Sequence, residues 1–190
     1  MDWVAARAVE HEALVESCLD HGDVIPMKLF TLFSNDQRAH ADFTQRRAGI
    51  DALLEKIRGC REWGVRAVHR PGSPPSPAQP EPTITTGTAF LLRKKQVRDE
   101  GRRQVERLRM RTTELFSALA GRATAAIRRD GAVQEPGSRL ILDAVFLVRE
   151  TERAAFADAF REQGNLLDDD AVDVTLSGPW PAYHFIADAP

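Results

Sequence analysis

Residues that could carry chemistry are few in this chain, and the first of them is the pair His11 and Glu12. A zinc-binding His-Glu-x-x-His helix needs a second histidine four residues after the first, and that position is Val15. We therefore expect His11 and Glu12 to be structural. The carboxylates of residues 168–170, three consecutive aspartates, are of the kind that binds divalent cations. The simpler interpretation is a solvated acidic loop between a helix and a strand.

The cysteines and glycines also give no sign of a catalytic or metal-binding site. Cys18 and Cys60 lie far apart and match no metal or redox spacing, so we expect two reduced, buried thiols. The glycines form neither a GxGxxG pattern nor a phosphate-binding loop of the Walker type. The sequence therefore predicts a protein without catalytic residues, metal or cofactor, and we expect that it is not an enzyme.

Charge and hydropathy exclude several classes of partner. The 190 residues include 26 Lys and Arg against 28 Asp and Glu, giving a net charge of −2. Such a chain has no overall field that attracts nucleic acid or an anionic membrane. It also lacks the run of about 18 apolar residues that a membrane span needs, and its first residues do not resemble an export signal. We expect a cytoplasmic protein with neither nucleic acid nor membrane as partner.

The elements that position these residues fall into two halves. Residues 71–82 contain six prolines, which remove backbone donors and prevent helix formation, so this stretch is predicted to be a solvated linker or long surface loop. The predicted division is a domain of residues 1–70, a linker of residues 71–86 and a domain of residues 87–190. The first half reads as a helix ending near Gly22, a strand over 24–33, a helix and a second strand over 62–69. Ser34 or Asn35 is the expected cap of that second helix, and Gly59 its end.

The second half begins with a long helix, predicted over residues 88–120. Two strands, a helix and a strand are predicted to follow it. The whole order, helix, strand, strand, helix, strand, is that of a ferredoxin-like α+β domain without its first strand. The predicted fold class is therefore α+β, with two small lobes of which the second is ferredoxin-like. Apolar positions spaced by three and four give the long helix a seam typical of coiled coils: Val105, Leu108, Thr112, Leu115 and Leu119.

The early turns of this long helix carry many basic residues, including Arg93 and Lys94. A solvated face is the commoner explanation of such a run, and a surface for an acidic protein partner is the alternative. Acidic residues such as Glu100, Glu106 and Glu114 are spread among the cations, which argues against nucleic acid.

Five segments, taken together and in order, resemble the GvpL/GvpF family of gas vesicle proteins. The first consists of residues 11–15 together with 24–29, and the other four are 62–66, 87–95, 143–148 and 177–185. The last, Ser-Gly-Pro-Trp-Pro-Ala-Tyr-His-Phe, is the most specific. Family members usually begin with a further β-containing segment, so the resemblance implies an N-terminal domain that is either naturally short or truncated here. Where this chain has Leu29-Phe30, the family tends to have Phe-Gly.

The resemblance implies an accessory assembly or minor structural protein located at the gas vesicle. Its expected partners are the hydrophobic shell protein and other accessory proteins of the vesicle. The alternative is a non-catalytic binding or regulatory module on a ferredoxin-like fold. Candidate contact or family-motif residues are His11, Glu12, Glu62, Trp63, Arg93, Lys94, Gly178, Pro179, Trp180, Pro181 and Tyr183.

We expect the segment from Gly178 to Phe185 to be chiefly structural. Its prolines fix the backbone, and its aromatic residues offer large surfaces to bury, so it reads as a rigid clasp anchored by the indole of Trp180. The alternative is that Trp180 and Tyr183 stay exposed as contacts for the shell protein.

Overall fold

A computed structural model describes residues 2–70, 87–131, 138–167 and 171–186. In chain order the elements are α1 (Asp2–Leu19), α2 (Asp36–Ile57), β1 (Cys60–His69), α3 (Gly87–Ala120), β2 (Ala125–Arg128), β3 (Arg139–Arg149), a single 3-10 turn (Glu150–Glu152), α4 (Arg153–Asn165) and β4 (Val172–Trp180). The predicted linker of residues 71–86 and the aspartates 168–170 lie outside the described residues.

The four strands form one antiparallel sheet in the order β2-β3-β1-β4. This architecture confirms the α+β class. β1 was expected to belong to the first half, yet it is a central strand that pairs with β3 on one side and β4 on the other. The sheet therefore joins residues 1–70 to residues 87–186 and does not divide between them. The run from β1 to β4 reads strand, helix, strand, strand, helix, strand.

The first face of the sheet is covered by α3 and α4. Alternation along β1 sends Trp63, Val65 and Ala67 to this face, as the sequence predicts, where they meet Phe146 of β3 and Phe156 of α4. The seam of α3 contributes the buried residues Leu108, Thr112, Leu115 and Leu119. The apolar side chains of β4 on this side, Val172, Val174 and Leu176, complete the layer.

The second face of the sheet is covered by the end of α2 and the C-terminal segment. Ile57 packs there with Cys60, Val145 and Leu147, beneath three residues of the last described stretch, namely Ala182, Phe185 and Ile186. α2 begins as expected, because the side chain of Asn35 accepts a 2.9 Å hydrogen bond from the backbone N–H of Arg38.

The predicted strand over residues 24–33 is wrong, because this segment is irregular and pairs with no other strand in the described residues. β1 already has a neighbour on each side, and Pro26, which is buried, lacks the N–H that a ladder needs. The same segment contains a turn after Pro26. In this turn Thr31 donates its backbone N–H to the carbonyl of Lys28, and Phe30 has φ +66°. Phe30 stands where the resembled family tends to have glycine, in a backbone conformation that glycine adopts without strain.

Candidate functional site

The C-terminal segment, residues 178–186, crosses the second face of the sheet and joins elements distant in sequence. Its buried anchors are Pro181, Ala182, Phe185 and Ile186. Lys56, in the last turn of α2, donates a 2.8 Å hydrogen bond from Nζ to the carbonyl oxygen of Phe185. The segment therefore acts as a clasp, as the sequence predicts.

The predicted anchor of this clasp is wrong. Trp180 is 37% exposed at the end of β4, while the buried positions follow it. Trp180 pairs with Glu62 at the last position of β4, and more than a third of its surface remains in solvent. A groove beside it is lined by Trp180, Gly178 and Pro179 together with residues of α1.

Gly178 lies close against the backbone of β1. Its φ is +118°, and a Cβ placed there would stand 2.8 Å from the backbone oxygen of Glu62. Both facts require glycine, because other residues rarely adopt this backbone conformation and the carbonyl leaves no room. The next residue is Pro179, joined to Gly178 by a cis peptide bond.

Glu62 is a buried carboxylate that holds the clasp down. Its Oε2 accepts a 2.9 Å hydrogen bond from the backbone N–H of His184, and its Oε1 lies 2.6 Å from Nδ1 of the same residue. The other ring nitrogen, Nε2, lies 3.1 Å from NH1 of Arg129. Because an arginine only donates, Nε2 accepts and Nδ1–H donates to Glu62.

Arg129 extends this row of polar side chains across the sheet. It follows β2 and donates from Nε to Oδ1 of the buried Asp143 at 2.9 Å, with its NH2 group in contact with the same oxygen. The row therefore consists of Glu62, His184, Arg129 and Asp143, and each side chain is hydrogen-bonded to the next. Buried polar groups that are all hydrogen-bonded in this way rigidify the structure around them.

Tyr183 connects the clasp to α1. Its hydroxyl donates a 2.8 Å hydrogen bond to Oε2 of Glu12. Partial burial raises the pKa of Tyr183 above its ordinary value, and the hydrogen bond to Glu12 and the negative charges of Glu12, Glu16 and Glu62 raise that pKa further. Glu12 therefore links α1 to the clasp through this hydrogen bond.

Above this contact lies a cavity of about 540 Å³, which we call the α1–α2 cavity. It is lined by α1, the irregular segment, α2 and the clasp. Its apolar lining residues are Ala8, Ile25, Pro26, Met27, Leu29, Phe43, Ile50, Leu53 and Ile186. Its polar ones are His11, Glu12, Lys28, Thr31, Arg46 and Tyr183. His11 thus lies in the cavity wall.

The surface around the α1–α2 cavity is unusually apolar. Trp3 stacks on Phe30 with their ring centroids 6.0 Å apart, and Phe33 lies against Phe43, yet all four rings are exposed. Leu32, Val4 and Met27 are exposed as well. Exposed apolar side chains grouped in this way are typical of interaction sites and ligand-binding grooves.

The other candidate residues lie elsewhere. Trp63 is buried on the first face of the sheet, against Phe156, with the guanidinium of Arg153 5.6 Å from its ring centre. Arg93 and Lys94 are exposed near the start of α3. The expectation of two buried thiols is half wrong, because Cys60 is buried and Cys18 is exposed on α1. Within the described ranges, no three His, Cys, Asp or Glu side chains are placed to hold a metal ion.

Sequence reasoning missed His184, Arg129 and Asp143 as members of one row. Arg129, which follows β2, and Asp143 of β3 lie side by side, but their link to His184 depends on how the clasp crosses the sheet. Only the charged Glu62 and Asp143 inside apolar strands signal a buried partner, since buried charges are rarely unpaired.

Comparisons with known proteins agree with the resemblance in sequence. A family model described as "Gas vesicle synthesis protein GvpL/GvpF" matches residues 2–187. "Gas vesicle protein L" of Streptomyces sp. strain CB03234 is 25% identical, over 97% of this chain and 70% of its own length. "Gas vesicle protein L2" of Halobacterium salinarum strain NRC-1 is 28% identical, over 99% of this chain and 73% of its own.

Two solved structures share the fold. The GvpF structure from Anabaena sp. PCC7120 superposes with a TM-score of 0.69 at 14% identity, covering 94% of this chain and 76% of the other. GvpF from Microcystis aeruginosa gives a TM-score of 0.66 at 15% identity, covering 92% and 75%. Among the described residues, no helix has the length and apolar character needed to cross a membrane.

Proposed function

Since the chain belongs to the gas vesicle synthesis protein GvpL/GvpF family, with a role in gas vesicle formation, we propose that it is a non-enzymatic accessory assembly protein. Its proposed client is the hydrophobic shell protein, which it binds at the α1–α2 cavity. Other accessory proteins of the vesicle are proposed partners at the remaining surfaces. Family-motif residues in the clasp serve this function by holding the cavity walls in place.

The observation that carries this proposal is the apolar surface of the α1–α2 cavity. A shell subunit with strongly apolar surface must be kept soluble until it joins the growing shell. The cavity offers an apolar floor, the side chains of Ile50 and Leu53, beneath a rim of exposed rings. Burying apolar area against such a surface is the main favourable term in protein association.

The polar groups near the cavity support binding without turnover. Tyr183 is engaged with Glu12, and Glu62 with His184. In the described parts of the chain, no buried side-chain nitrogen or oxygen lacks a hydrogen-bond partner. Catalysis requires a reactive group aimed at a substrate, whereas these groups are aimed at one another.

We further propose that β1 to β4 with α3 and α4 form a ferredoxin-like unit. The order of elements and the sheet order β2-β3-β1-β4 support this assignment. In this unit β1 is the first strand, which residues 87–190 by themselves lack. The helices α1 and α2 then form a layer of their own, and the two-lobed division becomes one between residues 2–57 and residues 60–186.

A solubility assay tests the binding proposal. Shell protein is diluted out of denaturant with an equimolar amount of this chain, and aggregation is followed by light scattering. We expect the wild type to suppress scattering and the double variant Met27→Glu, Phe43→Glu to lose this effect. The matched control is Val9→Glu, Leu14→Glu, which changes two exposed apolar residues of α1 that do not line the cavity.

Three outcomes would overturn the proposal. If both double variants lose suppression of aggregation equally, the shell protein binds at another surface. If both suppress aggregation like the wild type, the cavity is not needed for the function. A wild type that sediments as a dimer, with a monomeric cavity variant, would show that a second copy covers this surface. Complementation of a deletion strain, scored by vesicles in electron micrographs, repeats the comparison in cells.

A further inference from the structure

The N-terminal half of α3 exposes several large apolar side chains, two of which, Phe90 and Val97, form a stripe along one side of the helix. Burial along this helix begins at Leu108, while the side chains of Phe90, Leu91, Leu92 and Val97 are all more than half exposed. The first half of α3 thus lacks the layer that covers the second half.

The exposed stripe continues the buried seam of the same helix. Phe90, Val97, Leu108 and Leu115 follow one another at spacings of seven, eleven and seven residues. With about 3.6 residues per turn these spacings are close to two, three and two turns, so the four side chains share one side of α3. Leu108 and Leu115 pack in the core of the sheet, whereas Phe90 and Val97 extend the same line into solvent.

A row of cations borders this stripe. Lys94, Arg98 and Arg102 are spaced by four, which places them one above another along one flank of the helix. In the part of the chain that the structure describes, these three form no ion pair, whereas Arg103 and Arg107 of α3 reach Glu100. Like charges spaced by four destabilise a helix, so the row is unfavourable without an acidic partner.

The charge balance sets the chemistry of the occupant. Residues 93–103 carry six cations and two anions; Asp99 lies on the side of α3 away from the stripe, and Glu106 follows Arg102 at the C-terminal end of the cation row. A second copy would bring the same net positive surface to the contact and would be repelled. Phe90 and Val97 form a stripe one side chain wide, while Leu91 and Leu92 lie on other sides of α3. A narrow stripe suits a helical partner better than the broad apolar face that inserts into a membrane interface.

We propose that the N-terminal half of α3 is a docking surface for an acidic amphipathic helix of another protein. The partner helix would lay its apolar side chains along Phe90 and Val97 and place carboxylates against Lys94, Arg98 and Arg102. The surface is separate from the α1–α2 cavity, so this interaction and shell-protein binding succeed or fail independently.

Two synthetic helical peptides test the proposal on the full-length protein. Both carry leucine at the a and d heptad positions; one has glutamate at the e and g positions, and the other has lysine there. We expect the glutamate peptide to bind, measured by fluorescence anisotropy, and the lysine peptide not to bind. Binding should weaken as salt rises, because exposed charges are screened.

Charge reversal then identifies the residues. The triple variant Lys94→Glu, Arg98→Glu, Arg102→Glu is expected to bind the glutamate peptide about tenfold more weakly and to gain affinity for the lysine peptide. The matched control reverses three exposed arginines on α1, α2 and the residue after α2, Arg7, Arg47 and Arg58, and should bind like the wild type. Circular dichroism checks that both variants fold.

Three results would overturn the proposal. Equal affinity for both peptides would show that charge does not select the partner. An equal loss of affinity for the glutamate peptide in the control variant would show that the cation row is not part of the binding site. The third is binding to vesicles containing phosphatidylserine, lost in the triple variant, with no binding to the glutamate peptide. That result would make this surface a contact for anionic lipid instead.

Discussion

The hydroxyl of Tyr183 lies 2.8 Å from Oε2 of Glu12, to which it donates a hydrogen bond. The bond fastens the clasp to α1 at the edge of the α1–α2 cavity. It gives the cavity wall a fixed geometry, and because Tyr183 is the chain's one tyrosine, it can be observed by itself.

The first prediction concerns the ionisation of Tyr183. Its pKa is raised in the folded state, chiefly by burial, so its contribution to stability is fully present below pH about 10 and is lost as pH rises through the folded-state value. Tyrosinate absorbance should therefore appear at higher pH in the native protein than in urea. Tyr183→Phe should cost about 1 kcal/mol at neutral pH, and this difference should shrink above pH about 10. Identical titrations in the native and denatured protein would contradict this.

The second prediction concerns Gly178. Gly178→Ala should destabilise the protein by about 2 kcal/mol or more, because alanine must adopt φ +118° and its Cβ meets the carbonyl of Glu62. Gly49→Ala is the control, since Gly49 lies inside α2 with open space around it and should gain about 0.5–1 kcal/mol. Urea unfolding measures both, and a neutral Gly178→Ala would refute the close approach.

The third prediction concerns the carboxylate of Glu62. Glu62→Ala should lower the free energy of unfolding by about 2–3 kcal/mol, because it removes two charge-assisted hydrogen bonds to His184. Glu55→Ala, which removes an exposed pair with Arg58, should cost about 0.5 kcal/mol or less. Similar losses in the two variants, from denaturant titration, would show that the buried position does not matter.

The fourth prediction separates anchor from contact in the clasp. Phe185 is 4% exposed, so Phe185→Ala should cost about 3–5 kcal/mol. Trp180→Ala should cost about 1 kcal/mol, because much of the indole is already in water. Melting temperatures compare the two, and a larger loss at Trp180 would restore the indole as the anchor.

The fifth prediction concerns the covalent link between the two halves. Residues 1–70 and 87–190 expressed as separate chains in one cell should co-purify, because β1 of the first pairs with β3 and β4 of the second. Each fragment made alone should be insoluble or unfolded. A folded, monomeric second fragment would show that its sheet closes without β1.

The sequence predicts local features of this fold well. Alternation in β1 places Trp63, Val65 and Ala67 on one face, and the spacing of Leu108, Leu115 and Leu119 identifies the buried side of α3. Asn35 caps α2 as its residue type indicates. These features depend on neighbours within a few residues, which a single sequence shows directly.

Features that depend on distant pairing were harder to predict. The stretch over residues 24–33 has strand-like composition, but both edges of β1, the strand that follows α2 in the chain, are taken by β3 and β4. The partners of Glu62 and the exposure of Trp180 depend on how residues 178–186 cross the sheet. No local pattern encodes that crossing, so the polar row and the cavity wall emerge only in three dimensions.

The central place of β1 also dictates how the protein must be made. Because synthesis runs from the N-terminus, β1 leaves the ribosome well before β3 and β4, the strands on its two sides. At about 5–20 residues per second, it waits on the order of several seconds with both edges unpaired and Trp63 and Val65 in water. A nascent chain in this state is prone to aggregate, so chaperones and translation speed are expected to affect its yield.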